Sequence, residues 1–312
     1  MTLNDDIIVV GKRVKIPFSK GILARSLTAA GLKPSVAYRL ALEIYDILKK
    51  ENITEIKKNE LRRRVYYYLL SKGFEDIAKR YLLWRIVLSK MSLAILIGGA
   101  SGVGTSTIAF EIASRLGIPS VIGTDSIREV MRKTITRDLV PTLFESSYTA
   151  WKVLKENIQN DNKYIIGFER HSEIVLTGVG GVINRCLVEG QSVIIEGTHI
   201  VPSLLDDKYL ENPYIIPIVL TVSDEELHKM RFYSRGKVSS RPTERYLKHF
   251  KIIRLINDYM VKTAKQKGIP VVENIKISKT VEECLNIITK RLMDIIENQG
   301  IKLEDYLEEL SD

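Results

Sequence analysis

A glycine-rich segment at Gly98–Thr107 carries the residues whose spacing most directly indicates chemistry. It reads Gly-Gly-Ala-Ser-Gly-Val-Gly-Thr-Ser-Thr, with four residues between Gly99 and Gly104. Glycines at this spacing let backbone N–H groups turn inward around phosphate oxygens. Ser106 occupies the position from which the hydroxyl of such a loop contacts Mg²⁺. The segment therefore predicts a site for the phosphates of a nucleotide. Its predicted members are Gly99, Ser101, Gly102, Val103, Gly104, Thr105, Ser106 and Thr107.

The lysine that this motif normally carries is absent, because Thr105 stands at its position. That lysine ordinarily brings a positive charge to the β- and γ-phosphates. Two interpretations follow: either the site has lost catalysis, or a cation from elsewhere in the chain supplies the charge. The second is favoured, because the other groups expected of a phosphoryl-transfer site are present.

Two carboxylates follow apolar segments that are predicted to be strands. Glu196 closes the run 192–195, the pattern of an acid that holds Mg²⁺ directly or through water. Asp125 follows the run 119–122 and is placed to orient or deprotonate an acceptor hydroxyl, or to hold Mg²⁺ through water. The alternative role of Asp125 is that of a helix N-cap. His199 lies just behind Glu196 and is a candidate for contact with the substrate.

Cationic side chains are concentrated in two short segments of the C-terminal part. Arg128 and Arg132 lie four residues apart on one helical face, which suits either an anionic substrate or solvent. The second segment contains Arg231, Arg235, Lys237, Arg241 and Arg245. It resembles the LID of small-molecule P-loop kinases, which closes over the phosphates and donates arginines to the transferring group. The resemblance implies that Arg235 and Arg241 replace the charge missing at Thr105.

The elements that position these residues alternate as in an α/β fold. Five strand-type runs are separated by helical segments, and they are Leu93–Ile97, Pro119–Ile122, Ser192–Ile195, Tyr214–Val222 and Ile269–Val272. Continuous apolar runs of this kind indicate a sheet buried on both faces. Helical patterns include one that begins at Glu145 and a long one over Tyr246–Lys267. We predict a parallel sheet of the P-loop kinase type with helices on both faces.

The charge divides the chain into two parts. The formal net charge is +9, but residues 1–90 hold 19 Lys+Arg and 9 Asp+Glu, so the remainder is close to neutral. We predict one domain over 1–90 and a second over 91–312. In the first, the β-type runs 7–10 and 14–16 predict a hairpin, and four helical segments follow.

Two segments of the basic domain resemble the ATP-cone, a nucleotide-binding regulatory module. They are Ile-Ile-Val-Val-Gly-Lys-Arg-Val-Lys-Ile-Pro-Phe-Ser-Lys-Gly-Ile-Leu-Ala-Arg-Ser-Leu at 7–27 and Gly-Phe-Glu-Asp-Ile-Ala-Lys-Arg-Tyr-Leu-Leu-Trp-Arg at 73–85. In that family the basic hairpin and the start of the first helix contact phosphates, which implies Lys12, Arg13 and Lys20 here. A helix N-terminus adds to that attraction. The alternative is a solvated basic bundle.

Several other classes are excluded or disfavoured. With 45% hydrophobic and 27% charged residues, the chain is neither disordered nor fibrous. No apolar run approaches the ~20 residues of a transmembrane helix, so we expect a cytoplasmic protein without a membrane partner. The cysteines Cys186 and Cys284 cannot form a disulfide framework, and the histidines lack zinc-ligand spacing. The run of arginines and tyrosines at 62–68 is explained more simply by a helix with interior tyrosines than by nucleic-acid binding.

The combination of motifs resembles the 2-phosphoglycerate kinases of methanogenic archaea. Behind an ATP-cone, the glycine loop is followed by Ile-Gly-Thr-Asp-Ser-Ile-Arg-Glu-Val-Met-Arg at 122–132 and Val-Ile-Ile-Glu-Gly-Thr-His-Ile-Val-Pro at 193–202. The resemblance implies phosphorylation of 2-phosphoglycerate by ATP and Mg²⁺ to 2,3-bisphosphoglycerate, the precursor of the thermoprotectant cyclic 2,3-diphosphoglycerate.

On this reading Asp125, Arg128, Arg132 and His199 face the small anionic substrate. Two alternatives stay open: a kinase of another acid such as gluconate or shikimate, and a non-catalytic ATP-sensing regulator that binds nucleic acid. A homodimer is the default expectation for assembly.

Overall fold

Residues 7–11, 14–155, 161–236 and 243–300 are described by a computed structural model of the chain. They divide into two units. The first is built mainly from residues up to Lys90, with short segments at 114–117 and from Ile288, and the second from Met91–Ala113 and Ile118–Ile287. Three predicted positions, Lys12, Arg13 and Arg241, lie outside the described residues, as does the side chain of Arg235.

The N-terminal unit contains a three-stranded sheet and a group of helices. Strand β1 (Ile8–Val10) pairs antiparallel with β2 (Lys15–Pro17), as the hairpin pattern predicts, and parallel with β3 (Glu55–Lys57). The sequence pattern does not predict β3, because this strand has only three residues and buries one of them, Ile56. A strand this short shows no apolar alternation. The helices described here are α1 (Lys20–Ala29), α2 (Pro34–Lys50), α3 (Lys58–Ser71) and α4 (Glu75–Lys90).

Local chemistry sets where the first two helices begin. The hydroxyl of Ser19 accepts a hydrogen bond from the Ile22 N–H at 3.2 Å, so Ser19 caps α1. Pro34 opens α2, where its missing N–H costs no helical hydrogen bond. Helix α2 then buries one apolar face, composed of Ala37, Leu40, Ala41, Ile44 and Leu48.

The larger unit is built on a five-stranded parallel sheet. Its strands in chain order are β4 (Ala94–Gly98), β5 (Ser120–Gly123), β6 (Val193–Gly197), β7 (Ile215–Thr221) and β8 (Val271–Glu273). They lie side by side in the order β5-β6-β4-β7-β8. All residues of β4 are buried, and since successive strand residues point to opposite faces, both faces of the sheet are covered there. The predicted parallel α/β sheet is confirmed.

Helices surround this sheet. They are α5 (Thr105–Leu116), α6 (Thr124–Thr134), α7 (Asn162–Val188), α8 (Asp207–Glu211), α9 (Glu225–Gly236), α10 (Thr243–Lys248), α11 (Phe250–Gln266) and α12 (Ile277–Asn298). The predicted long helix over 246–267 is interrupted at His249, whose backbone is not helical. No helix among the described residues is long and apolar enough to cross a membrane.

The helix predicted to begin at Glu145 does not form. Two short 3₁₀ turns, Pro141–Phe144 and Ala150–Val153, flank the position instead. The Thr149 hydroxyl donates to the Glu145 carboxylate at 2.9 Å and accepts from the Ser146 N–H at 3.0 Å. Such local side-chain hydrogen bonds compete with a helix for the same backbone groups.

The topology brings the predicted site together at one edge of the sheet. Strand β4 lies between β6 and β7, and the chain leaves it toward β5 on one side before it crosses to β7 on the other. Ligands of open α/β sheets bind where connections diverge in this way, outside the carboxyl ends of the strands. The register places Ile97 beside Glu196 and Gly98 beside Gly197.

Candidate active site

A cavity of about 930 Å³ opens at the carboxyl edge of the parallel sheet. It brings together most of the described residues that the sequence predicts for the site. Those in its wall are Gly99, Ser101, Gly102, Gly104, Thr105, Ser106, Thr107, Asp125, Arg128, Arg132, Glu196 and His199. Val103 belongs to the same loop, but its side chain is fully buried beneath it.

The glycine loop turns sharply between β4 and α5. Gly102 and Gly104 have left-handed backbone conformations, with φ of 89° and 95°. Side chains at these positions also lack space, since a Cβ on Gly102 would lie 2.5 Å from the Phe232 ring. Helix α5 begins at Thr105, and the first turn of a helix leaves N–H groups without intrahelical partners. The loop and helix start therefore form a site suited to phosphate oxygens.

Glu196 joins β6 to the start of α5 through two hydroxyl groups. Thr105 Oγ1 donates to Glu196 Oε2 at 2.6 Å, and Ser106 Oγ donates to Oε1 at 2.9 Å. The residue at the lysine position thus orients the carboxylate that the sequence predicts for Mg²⁺.

The donor set at this point fits a magnesium ion held mainly by phosphates. One carboxylate and the Ser106 hydroxyl offer the hard oxygen ligands that Mg²⁺ prefers. Across the residues that the structure describes, no group of three or more His, Cys, Asp or Glu side chains is arranged to hold a metal ion. Mg²⁺ in phosphoryl-transfer sites typically uses one or two carboxylates, with phosphates and waters as its other ligands.

Asp125 and two arginines form a different part of the wall, on α6. Gly123 holds the N-cap position of this helix, so Asp125 lies within its first turn and is not the cap. Arg128 Nη2 lies 3.8 Å from Asp125 Oδ1, and Arg128 Nη1 donates to the Glu145 carbonyl at 2.6 Å. Arg132 lies 5.0 Å from the centre of the Phe144 ring. The two guanidinium groups are thus held at the cavity by contacts with the 141–145 segment.

A chain of hydrogen bonds runs through two buried histidines behind α6. The His171 Nδ1 atom lies 2.7 Å from the Thr142 carbonyl, the two Nε2 atoms are 2.9 Å apart, and His199 Nδ1 lies 2.7 Å from Thr124 Oγ1. A carbonyl only accepts, so His171 donates through Nδ1 and accepts at Nε2. His199 then donates through Nε2, and its Nδ1 accepts from the Thr124 hydroxyl. Every bond in the chain is made with both rings neutral.

Burial keeps both rings neutral. It is the main cause that lowers the pKa of His171 to about 4, and the nearby Arg128 acts in the same direction. It also holds the pKa of His199 well below its usual value, with His171 and Arg128 acting in the same direction. Both ring nitrogens of His199 are engaged within the protein, behind Thr124. The substrate contact that the sequence suggests for His199 stays a prediction.

Arg231, on α9, is a site residue that the sequence pattern did not single out. It lies in the cavity wall and donates through Nη1 to the carbonyl of Val103 at 2.7 Å. In the sequence Arg231 belongs to the cationic segment 231–245, in which the LID resemblance implies Arg235 and Arg241 instead. The distance from Arg231 to the glycine loop depends on how α9 packs, which the sequence does not show.

Comparison with known proteins identifies the family. Residues 8–88 match the ATP cone domain. The 2-phosphoglycerate kinase of Methanocaldococcus jannaschii is 74% identical over 309 residues, which are 99% of each chain. The chain belongs to the 2-phosphoglycerate kinase family. The 2-phosphoglycerate kinase of Pyrococcus horikoshii is 41% identical over 97% of this chain and 99% of that one. A gluconokinase structure from Sinorhizobium meliloti 1021 covers 67% of this chain and 98% of its own, with 14% identity and a TM-score of 0.41.

In this member of the family, the ATP-cone holds a second group of cations, on α3 and α4. Partial desolvation lowers the pKa of Lys58, and the neighbouring Arg62 and Arg85 lower it further. The Nε atoms of both arginines are buried without a hydrogen-bond partner. The Arg85 guanidinium lies 5.6 Å from the centre of the buried Tyr81 ring. Within the part of the chain that the structure describes, no ion pair joins these cations to a carboxylate.

Lys20, predicted to contact a regulatory nucleotide, opens α1 in the same unit. Its ammonium lies 3.9 Å from the centre of the Tyr45 ring, a cation–π distance. The lysine is therefore held against α2. Lys12 and Arg13, its predicted partners, lie outside the described residues.

Proposed function

We propose that this chain transfers the γ-phosphoryl group of ATP to the free hydroxyl of 2-phosphoglycerate, which gives 2,3-bisphosphoglycerate. The observation that carries the proposal is a single cavity that contains a glycine loop, an oriented Glu196, and Asp125 flanked by two arginines. The identity to curated 2-phosphoglycerate kinases over nearly the whole chain supports the choice of acceptor.

On the nucleotide side, the loop N–H groups bind the phosphates, and Ser106 with Glu196 holds Mg²⁺. The ion, when bound, neutralises charge that develops on the phosphates. Thr105 acts through Glu196, whose carboxylate it holds in one orientation. Ile275 and Ile277 are exposed in the cavity wall and offer an apolar surface to the remainder of the nucleotide. Arg235 and Arg241 remain our proposed cations over the transferring group.

On the acceptor side, Asp125 orients the hydroxyl that attacks, or accepts its proton. 2-Phosphoglycerate carries a carboxylate and a phosphate, and planar guanidinium groups pair well with both. We assign these pairings to Arg128 and Arg132. Arg128 is already fixed by the Glu145 carbonyl, so less side-chain freedom is lost when the substrate binds.

The test is release of ADP from ATP and Mg²⁺ with 2-phosphoglycerate, gluconate or shikimate as acceptor. We expect release that depends on 2-phosphoglycerate alone, and its loss by about 10²-fold or more in Asp125→Asn. Equal turnover with gluconate or shikimate would replace the proposal with a different acid kinase. No acceptor-dependent turnover, together with salt-sensitive DNA binding, would favour the non-catalytic regulator.

We also propose that the ATP-cone binds a nucleotide as a regulator. Three cations gathered without a carboxylate favour an anion among them, and Lys58, Arg62 and Arg85 meet this description. Lys12, Arg13 and Lys20 are the further candidates for phosphate contact. A homodimer stays a prediction, which sedimentation equilibrium tests.

A further inference from the structure

Three side chains bind backbone carbonyls of the glycine loop. His228 lies 2.8 Å from the Ser101 carbonyl through Nε2, and Arg231 Nη1 donates to the Val103 carbonyl at 2.7 Å. Asn274 Nδ2 donates to the same Val103 carbonyl, also at 2.7 Å. The first two come from α9 and the third follows β8, so two separate elements meet at this side of the loop.

These bonds determine where the loop N–H groups point. In a trans peptide the C=O of one residue and the N–H of the next point in opposite directions. Since side chains bind the carbonyls of Ser101 and Val103, the N–H groups of Gly102 and Gly104 point away from those side chains and stay free of these contacts. The same bonds keep two carbonyl oxygens away from the place where phosphate oxygens bind, where they would be repelled.

The three side chains are themselves fixed. The Thr280 hydroxyl donates to Asn274 Oδ1 at 3.0 Å, which leaves the Asn274 amide nitrogen facing Val103. Arg254 Nη1 lies 3.4 Å from His228 Nδ1, and because a guanidinium only donates, that nitrogen carries no proton. His228 therefore donates through Nε2 to Ser101. Arg231 also donates through Nη2 to the Asn274 carbonyl.

Arg231 differs from the other two because it carries charge. Its Nη1 would lie 3.4 Å from a Cβ on Gly104, the residue just before Thr105. The guanidinium has five N–H donors, and the two carbonyl contacts leave others for the cavity. Arginine stays protonated in proteins, so this is a permanent positive charge at the end of the loop.

We infer that Arg231, with His228 and Asn274, takes over two tasks of the missing P-loop lysine: it holds the loop open for phosphate and supplies positive charge beside it. The inference rests on the proposed kinase function for its kinetic test, but not for its binding test. It assigns to Arg231 a positioning and electrostatic role that is separate from the one proposed for Arg235 and Arg241.

The decisive experiment is a double-mutant cycle between Arg231→Gln and Thr105→Lys. We expect Arg231→Gln to raise the KM for ATP by about tenfold or more, as for a lost hydrogen bond from a charged group. The KM for 2-phosphoglycerate should stay within about twofold, because that substrate binds on the α6 side. Thr105→Lys restores the usual lysine but removes the hydroxyl that orients Glu196, so the cycle is measured at saturating Mg²⁺. Under that condition Thr105→Lys should lower the KM for ATP more in the Arg231→Gln background than in the wild type.

Two further variants distinguish the effect of positive charge in the cavity from the effect of the hydrogen bonds that hold the loop. His228→Phe keeps the aromatic stacking on Phe232 but removes the donor to Ser101, so it should raise the KM for ATP without rescue by Thr105→Lys. Arg245→Gln removes a charge from the same cavity wall without touching the loop carbonyls, and it should show no coupling to Thr105→Lys. Strict additivity of Arg231→Gln and Thr105→Lys, or an unchanged KM for ATP in Arg231→Gln, would overturn the inference.

Calorimetric titration of the full chain with Mg-ATP keeps the two proposals distinguishable. In Gly102→Ala the added Cβ would clash with the Phe232 ring, so the glycine loop cannot keep its shape. ATP binding that is lost in this variant is therefore binding at the glycine loop. If wild-type protein binds ATP there but transfers nothing to 2-phosphoglycerate, the proposed function fails. The inference then stands or falls on whether Arg231→Gln weakens that same binding by about tenfold.

Discussion

Thr105 occupies a lysine position, yet its hydroxyl makes a specific contact. It donates to one oxygen of Glu196 while Ser106 donates to the other. A lysine there would be long enough to reach past this carboxylate to the phosphates. The threonine is too short for that and instead fixes the carboxylate itself. We assign the charge that the lysine usually supplies to Arg231, whereas Thr105 orients Glu196.

Removal of the Thr105 hydroxyl should therefore weaken the use of Mg²⁺. Groups that orient a metal ligand typically contribute 10- to 100-fold to metal affinity, so Thr105→Val should raise the Mg²⁺ concentration for half-maximal rate by about tenfold. Thr105→Ser retains the hydroxyl and should stay within about threefold of the wild type. The measurement is initial rate against free Mg²⁺ at saturating ATP. Equal Mg²⁺ dependence of the two variants would show that the hydrogen bond to Glu196 has no such role.

Arg132 is proposed to bind the acceptor, so its substitution should affect the KM for 2-phosphoglycerate. Arg132→Gln removes one guanidinium from the cavity wall, and we expect the KM for 2-phosphoglycerate to rise by about 10- to 100-fold with little change in the KM for ATP. Arg137→Gln is the matched control, because Arg137 also approaches the Phe144 ring but is not part of the cavity wall. If the KM for ATP rises instead, Arg132 contacts the nucleotide and not the acceptor.

At the level of elements, the strands were predictable and the short connections were not. Strands β4 to β8 overlap the predicted apolar runs. The reason is clearest in β4, because a parallel strand buried on both faces needs an unbroken apolar sequence. Strand β3 has one buried residue, and the segment around Glu145 is shaped by hydroxyl–carboxylate contacts, so neither leaves a periodic pattern. The role of Arg231 likewise depends on where α9 lies against the loop.

The histidine chain links four elements of the acceptor side: the 3₁₀ turn at 141–144, α7, the segment after β6, and α6. Because both histidine rings are neutral in the folded protein, we expect the free energy of unfolding to decrease as the pH falls. The unfolded chain protonates His171 near its usual pKa of 6.5, whereas burial lowers the pKa of the folded residue to about 4. Unfolding therefore takes up a proton below pH 6.5, so the stabilising contribution is complete above that pH and is lost progressively down to about pH 4.

This predicts a loss of about 2 kcal/mol in the free energy of unfolding between pH 7 and pH 5 from His171 alone. Urea unfolding, followed by Trp151 fluorescence in a Trp84→Phe background, reports on the unit that contains this histidine. In His171→Asn the change between the two pH values should be smaller by about that amount. The same dependence in both proteins would mean that folding does not lower the pKa of His171.

At the scale of the whole molecule, the positive net charge of +9 is due to the N-terminal domain. This basic character suits the phosphate binding that is predicted for the ATP-cone. Lys58, Arg62 and Arg85 repel one another when no anion is present, which costs stability in that unit alone. A bound nucleotide should remove that cost. Nucleotide binding should thus raise the unfolding free energy of the N-terminal unit, whatever happens at the catalytic cavity.

Trp84 lies fully buried in the N-terminal unit, so its fluorescence in a Trp151→Phe background follows that unit. ATP at 100 times its dissociation constant should raise the unfolding free energy seen by Trp84 by about 3 kcal/mol. Arg62→Gln should reduce this gain by at least about half, because the nucleotide then binds more weakly. Arg39→Gln removes an exposed charge from the same unit and should leave the gain unchanged. ATP could instead raise the unfolding free energy of Arg62→Gln as much as that of Arg39→Gln. In that case the cations of α3 and α4 do not bind the nucleotide, and the basicity of this domain needs another explanation.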